Sequence, residues 1–420
     1  MKKKWIVAIV AVVLAVCLWK IGGPLLRKAA MGEHSAPQAA QGLKAAPTGD
    51  KYLDAIGKAV ERLTQYQEAN GAFIKGWLAP QAAITGLALE GLGGLPQKFL
   101  DSQSPEYRAR LEEIRAKAVQ AILGYCQADG GIYTDIPGYS FGVYSTAYVL
   151  VGLRRAGVPA DDPRLQKAQE YLLKAQHTEK GLYAGGAGYQ PGARPDLNNT
   201  VSMLEALEAS GLPKDHPAYK NAVAYVSSCQ NRSESNTSGI AVTDDGGFFY
   251  LNNPAQLAKG GRGTVRLPDG KFAYASYGTM SYAGLVSFLY AAVDKNDGRV
   301  KSAYNWIKNN YDLDENVGHK NVGLYYYYRI MAKALAQYGD PFLVTADGKR
   351  HEWARELADT ILKLQTPEGG WHRVSAGFME DDEILVGAYM LRTLSVCVEM
   401  MDKTPAAPAA APAPAAAPAP

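Results

Sequence analysis

Acidic residues crowd two places where helices begin or end. FMEDDEILVGAYML carries Glu380, Asp381, Asp382 and Glu383 ahead of an apolar helical run, and YDLDEN carries Asp312, Asp314 and Glu315. A carboxylic acid buried in an apolar cavity has a raised pKa and can serve as a general acid. On that expectation one carboxyl of the first cluster is an acid and its neighbours support it. The competing expectation is capping: acidic residues at a helix N-terminus satisfy its first amides and favour its dipole, by about 0.3–1 kcal/mol each. Asp135, Asp196 and Asp244 could serve paired-carboxylate glycan cleavage, with nothing in their spacing to select among them.

Aromatic residues are the other chemical resource, with 26 tyrosines in the chain. Tyr144, Tyr148, Tyr277, Tyr282, Tyr326 and Tyr389 lie on or beside apolar helical runs and are expected to line a ligand cavity. Ring faces stabilise a cation by about 0.5–2 kcal/mol each. Tyr325 to Tyr328 form a run that points all round its helix, so some of them are core. GYSFG places Ser140 in a Gly/Pro loop rather than a strand-to-helix elbow. His351 opens HEWAR, which is not H-E-x-x-H, and no C-x-x-C occurs, so no metal site and no cofactor are expected. Cys126, Cys229 and Cys397 are expected to be buried free thiols.

The elements that must position these residues repeat. YCQADGGIY, KAQHTEKGLY, SSCQN with DDGGFFY, and LQTPEGGW hold Gln127, Gln176, Gln230 and Gln365, and QYQEANGAF holds Gln67. A further unit lacks the glutamine and has Tyr311 near its place. The spacing is about 50 to 60 residues with one longer interval, an array of two-helix units. In DDPRLQKAQEYLLKAQ, Asp161 and Asp162 are N-cap candidates, Pro163 opens the helix, and Leu165, Ala168, Leu172 and Ala175 share one face. A glycine turn and a second, nearly all-apolar helix follow, as in STAYVLVGLRRAG. Outer and inner layers follow from that contrast. Six hairpins predict an all-α (α/α)6 toroid over residues 51–402, with an open superhelix as the alternative. The fourth unit is irregular: the stretch from Leu251 to Ala273 is inserted, is locally basic through Lys259, Arg262, Arg266 and Lys271, and contains a hairpin, read as a solvated loop or as a lid or partner-docking loop.

The ends differ from this body. Three lysines and an uncharged run from Trp5 to Trp19 predict a signal peptide or membrane anchor over residues 1–26. Residues 27–50 read as a linker and 403–420 as a disordered Ala/Pro-rich tail. The net charge is +3 and several lysines lie in the signal segment, so nucleic acid is not an expected partner. The toroid is expected in the cell envelope, outside the cytoplasm and tethered to the membrane, or secreted if the N-terminal segment is cleaved.

The glutamine, short spacer, glycine and aromatic ahead of an inner helix resemble the repeats of the terpenoid cyclases and protein prenyltransferases. The match is most specific at Gln365–Trp371 and Gln127–Tyr133. The resemblance implies that Gln127, Gln176, Gln230 and Gln365 tie the end of an outer helix to the start of a neighbouring inner one, with Trp371 covering the turn. It also implies a D-x-D-D acid motif at the start of an inner helix. Aligning Asp381 and Asp382 with its final pair leaves Met379 in place of the first aspartate. The zinc ligands of the prenyltransferases have no counterpart. The expected function is binding of an isoprenoid, glycan or protein ligand in an aromatic-lined toroid, with a cyclase using Asp381 or a glycan-active enzyme as alternatives.

Overall fold

The computed structural model describes residues 42–74, 80–134, 140–375 and 377–404. The expected anchor, most of the linker and nearly all of the Ala/Pro tail lie outside them, as does Asp135. Residues 42–50 are not free linker: Leu43 N donates to Thr64 Oγ1 (2.9 Å) and Ala46 N to Gln103 Oε1 (2.8 Å), which pins this strip to the body.

From the N-terminal side run α1 (Lys51–Thr64), α2 (Gln81–Gly93), a short α3 (Gln97–Asp101), α4 (Pro105–Leu123), α5 (Gly142–Arg155), α6 (Pro163–Ala175), α7 (Leu197–Ala209) and α8 (Pro217–Ser228). Next come a short α9 (Pro254–Leu257) and the antiparallel hairpin of β1 (Thr264–Arg266) and β2 (Phe272–Tyr274), in which Val265 pairs with Ala273. The chain continues with α10 (Gly278–Tyr290), α11 (Gly298–Asn309), α12 (Leu324–Tyr338), the hairpin of β3 (Leu343–Val344) and β4 (Arg350–His351), α13 (Trp353–Leu364) and α14 (Glu383–Lys403).

Burial sorts the long helices into two layers. In α6 the buried residues are Leu165, Ala168, Tyr171, Leu172 and Ala175, a single stripe, whereas every residue of α10 except Leu289 is buried. The first pattern is an outer helix and the second an inner one. Asp162 caps α6 by accepting from Arg164 N (2.9 Å), with Pro163 at the first position. Around the ring the inner helices α2, α5, α7, α10, α12 and α14 each pack on the next, and α14 packs back on α2 and α1. That last contact closes the toroid and rules out the open superhelix. α14 is long and apolar enough to cross a membrane, but most of it is buried in this core.

The repeated glutamines join outer helix to outer helix, not outer to inner as the resemblance implied. Gln176 Nε2 reaches Ala218 O in α8 (2.9 Å), Gln230 Nε2 reaches Arg299 O in α11 (2.9 Å), and Gln67 Nε2 reaches Ile114 O in α4 (2.8 Å). Gln365 Nε2 donates to Ala55 O in α1 (3.0 Å), so the same joint seals the ring. Gln127 is the exception and donates to Tyr125 O and Tyr133 O within its own loop. Tyr311 takes the glutamine's place by reaching Glu356 of α13 through its hydroxyl (3.2 Å). Trp371 donates from Nε1 to Ile361 O (3.2 Å) and pairs with Gln365 across the turn.

The reason lies in the path of the loop, which crosses the flank of the next outer helix before turning inward. Gly185 (φ +88°) passes so close to α8 that a Cβ would stand 1.8 Å from Asn221 O, and Gly369 (φ +87°) would meet Lys58 O at 2.2 Å. Only glycine combines that backbone with that approach. Gly185→Ala should therefore lower stability by about 3 kcal/mol, the sum of left-handed strain and overpacking. Gly157→Ala, at φ +86° in open space, should cost only about 1 kcal/mol. Equal shifts in denaturation midpoint for the two variants would refute the close-approach account.

Candidate functional site

A cavity of about 690 Å³ lies over the N-terminal ends of the inner helices. Tyr144 and Tyr148 come from α5, Asn198 from α7, Thr279 and Met280 from α10, Tyr326 from α12 and Tyr389 from α14; Phe141, Tyr189, Phe249, Tyr250 and Tyr274 come from loops and β2. Tyr144 packs edge-on to Tyr148 (4.7 Å) and tilted on Tyr189 (5.8 Å), and Tyr326 leans on Tyr389 (5.8 Å). Burial raises the hydroxyl pKa values of Tyr144, Tyr148, Tyr326 and Tyr389, so these four rings stay uncharged.

Of the tyrosines singled out in the sequence, Tyr144, Tyr148, Tyr277, Tyr326 and Tyr389 line this cavity. Tyr282 does not: it is fully buried on α10 against Tyr327 (5.6 Å). The tyrosine run divides as its helical geometry requires. Tyr325, Tyr327 and Tyr328 are core, their hydroxyls donating to the carbonyls of His372, Asp312 and Leu313, and Tyr326 alone faces the cavity.

Beneath the rings lies a buried charge network. Arg329 of α12 donates to Glu90 of α2 (2.8 Å), and Lys333 of α12 bridges Glu90 (2.8 Å) and Glu205 of α7. The Arg329 guanidinium lies 5.1 Å from the Tyr148 ring centre and 5.2 Å from that of Tyr389. The expectation that these faces hold a ligand cation is thus partly pre-empted, because the protein's own cation occupies them.

The acidic cluster does not supply the cavity. Asp381 is exposed and absent from its lining. Asp382 caps α14, accepting from Ile384 N and Leu385 N (both 2.9 Å). Glu380 is buried and accepts from Tyr326 N (2.8 Å), so it serves the start of α12; burial pushes its carboxyl up to about 7. Asp312 accepts from Asp314 N (2.7 Å) and Glu315 N (3.0 Å) in a local turn. Ser140 and Asp244 are exposed loop residues. Cys229 and Cys397 are buried as expected, but Cys126 is exposed. Among the described residues no group of His, Cys, Asp and Glu is arranged to hold a metal.

Sequence reasoning named Asp196 only as one of three unselected carboxylates and missed that Asp196-Leu197-Asn198-Asn199 opens the inner helix α7 with the spacing of D-x-D-D. Its signal was present but disguised, because amides stand where two carboxylates were sought. Asp196 is the N-cap, accepting from Asn199 N (2.8 Å) and Asn199 Nδ2 (2.7 Å), and burial pushes its carboxyl up to about 6. Asn198, at the position of the acid, projects into the cavity wall and accepts from the Tyr326 hydroxyl.

The fold has counterparts among solved structures. The type II terpene cyclase MstE from Scytonema superposes with a TM-score of 0.52 at 13% identity, covering 84% of this chain and 100% of that one. A family 76 glycoside hydrolase from a bovine Bacteroides thetaiotaomicron strain superposes at 0.56 with 11% identity, over 84% of this chain and 78% of that one. In sequence, the squalene–hopene cyclase of Zymomonas mobilis is 26% identical over 227 residues, 49% of this chain. The body of the chain shares the α/α toroid fold of these solved structures. That sequence match spans only 30% of the length of the curated relative. No family model matches it.

Proposed function

We propose that the toroid binds an extended, apolar, isoprenoid-type ligand in its aromatic cavity and does not cyclise it by protonation. The observation that carries this reading is Asn198, an amide hydrogen-bonded to Tyr326 where the D-x-D-D spacing calls for the proton donor. Among the described lining residues there is no Asp or Glu, so paired-carboxylate glycan cleavage lacks its reagents as well. A cavity of about 690 Å³ walled by rings suits an apolar chain. Squalene, named in the sequence relative, is such a molecule. The same reading keeps the toroid in the cell envelope, tethered by residues 1–26.

Calorimetric titration of residues 42–404 with geranylgeraniol should give saturable, micromolar binding, and prolonged incubation with geranylgeraniol or squalene should return both unchanged. Cyclic products that vanish in Asp196→Asn would replace the binding reading with catalysis, since Asp196 touches the cavity wall through Tyr250. Failure of any apolar ligand to bind would sink the cavity reading itself.

A further inference from the structure

We propose that the mouth of the cavity selects an anionic head group, so that the ligand is an apolar chain ending in a carboxylate or a phosphate monoester; this rests on the binding function above. Among the described lining residues Arg262 carries the only full charge. It is exposed, and no ion pair or hydrogen bond engages its guanidinium among the described residues. Of the cations near the lining residues, Arg329 and Lys333 belong to the network with Glu90 and Glu205, and Arg194, whose charge reaches Tyr274, does not itself line the cavity.

The inserted hairpin holds Arg262 in place. Gly260, Gly261 and Gly263 have φ of +63°, +116° and +76°, a left-handed run that turns the backbone back toward the cavity. Thr264 Oγ1 donates to Gly261 O (2.7 Å), Ala275 N donates to Gly263 O (3.0 Å), and Tyr274 stacks on Phe249 (4.9 Å). These bonds anchor the loop on both sides of the arginine. His319 lies stacked on Tyr277 at 4.0 Å in the same rim. Burial and the Arg262 charge lower its pKa, leaving a neutral imidazole able to hydrogen-bond a head group. The nearby carboxylate of Asp245 is engaged by Ser276 Oγ (2.6 Å) and Gly247 N (2.9 Å) rather than by Arg262. A guanidinium pairs with carboxylate or phosphate in a two-pronged, charge-assisted contact, and ring-lined walls below it receive the tail.

Titrations of the full chain with farnesyl monophosphate and palmitate, each against its uncharged alcohol (farnesol, hexadecanol), test the proposal. The wild type should bind one or both anions about tenfold tighter than the matching alcohol, the scale of one charge-assisted contact. Whether phosphate or carboxylate gains more identifies the head group. In Arg262→Ala that preference should fall to near unity while the alcohols bind as before, and Arg262→Lys should restore part of it. Equal wild-type affinity for anion and alcohol, or an undiminished preference in Arg262→Ala, overturns head-group selection and leaves the cavity reading standing. No binding of any of the four overturns both.

Discussion

Replacing Glu90 with glutamine should destabilise the toroid by about 3–5 kcal/mol, the usual cost of removing one member of a buried ionic group. Glu90 is buried on α2, and its carboxylate holds Arg329 and Lys333 of α12 (both 2.8 Å). Burial alone would push its carboxyl up, but the charges of Lys333 and Arg329 outweigh this and hold it below the usual carboxylate range. In the variant two cations face only Glu205. The change is local in volume and global in effect, because the network ties together inner helices that are not neighbours in the ring. Denaturant titration would read the loss. Adding Lys333→Met, which removes the surplus cation, should recover well over 1 kcal/mol of it; strictly additive effects would deny the network its coupling. The wild-type contribution is present above the ordinary glutamate pKa near 4.5 and is lost as pH falls through the lower folded value.

Glu380 should behave in the opposite sense. Its ordinary value is 4.5 and burial raises it to about 7, so the folded protein holds a proton that the unfolded chain releases. Its stabilisation is complete below about pH 4.5 and is lost as pH rises through about 7, amounting to about 3 kcal/mol. Oε1 accepts from Tyr326 N (2.8 Å), whereas Oε2 is buried with no hydrogen-bond partner among the described residues, the place for a proton. Glu380→Gln keeps the acceptor and cannot ionise. Its melting temperature should match the wild type at pH 4.5 and exceed it at pH 8. Asp196, pushed up to about 6, leaves a residual slope at lower pH in both proteins. Parallel wild-type and variant curves across pH 4.5–8 would show that Glu380 is not the group responsible.

Much of the architecture was legible because it is written in local and periodic terms. The stripe of Leu165, Ala168, Leu172 and Ala175, the Asp162–Pro163 helix start and the recurring Gln–Gly–aromatic turn are each determined within a few residues, and their repetition implies a closed stack of hairpins. Five of the six tyrosines named from the sequence line the cavity over the inner helices, because each sits near the start of an inner helix, where the ring's interior opens.

What failed did so where a residue's role depends on what lies opposite. Tyr282 and Tyr277 look alike in sequence, yet Tyr282 on α10 points into the core and Tyr277, just before that helix, stays at the mouth. Asp381 has the spelling of an acid and the exposure of a loop. The glutamines' true partners, the buried network of Glu90, Glu205, Arg329 and Lys333, and the lone Arg262 at the rim join residues far apart in the chain. By itself the sequence determined the repeat, its two layers and the supply of aromatic rings, since periodic burial is a property of each helix alone. Only the closed ring decided which rings face the cavity, which charges cancel and which one is left over, since desolvation and pairing depend on elements that meet only in three dimensions.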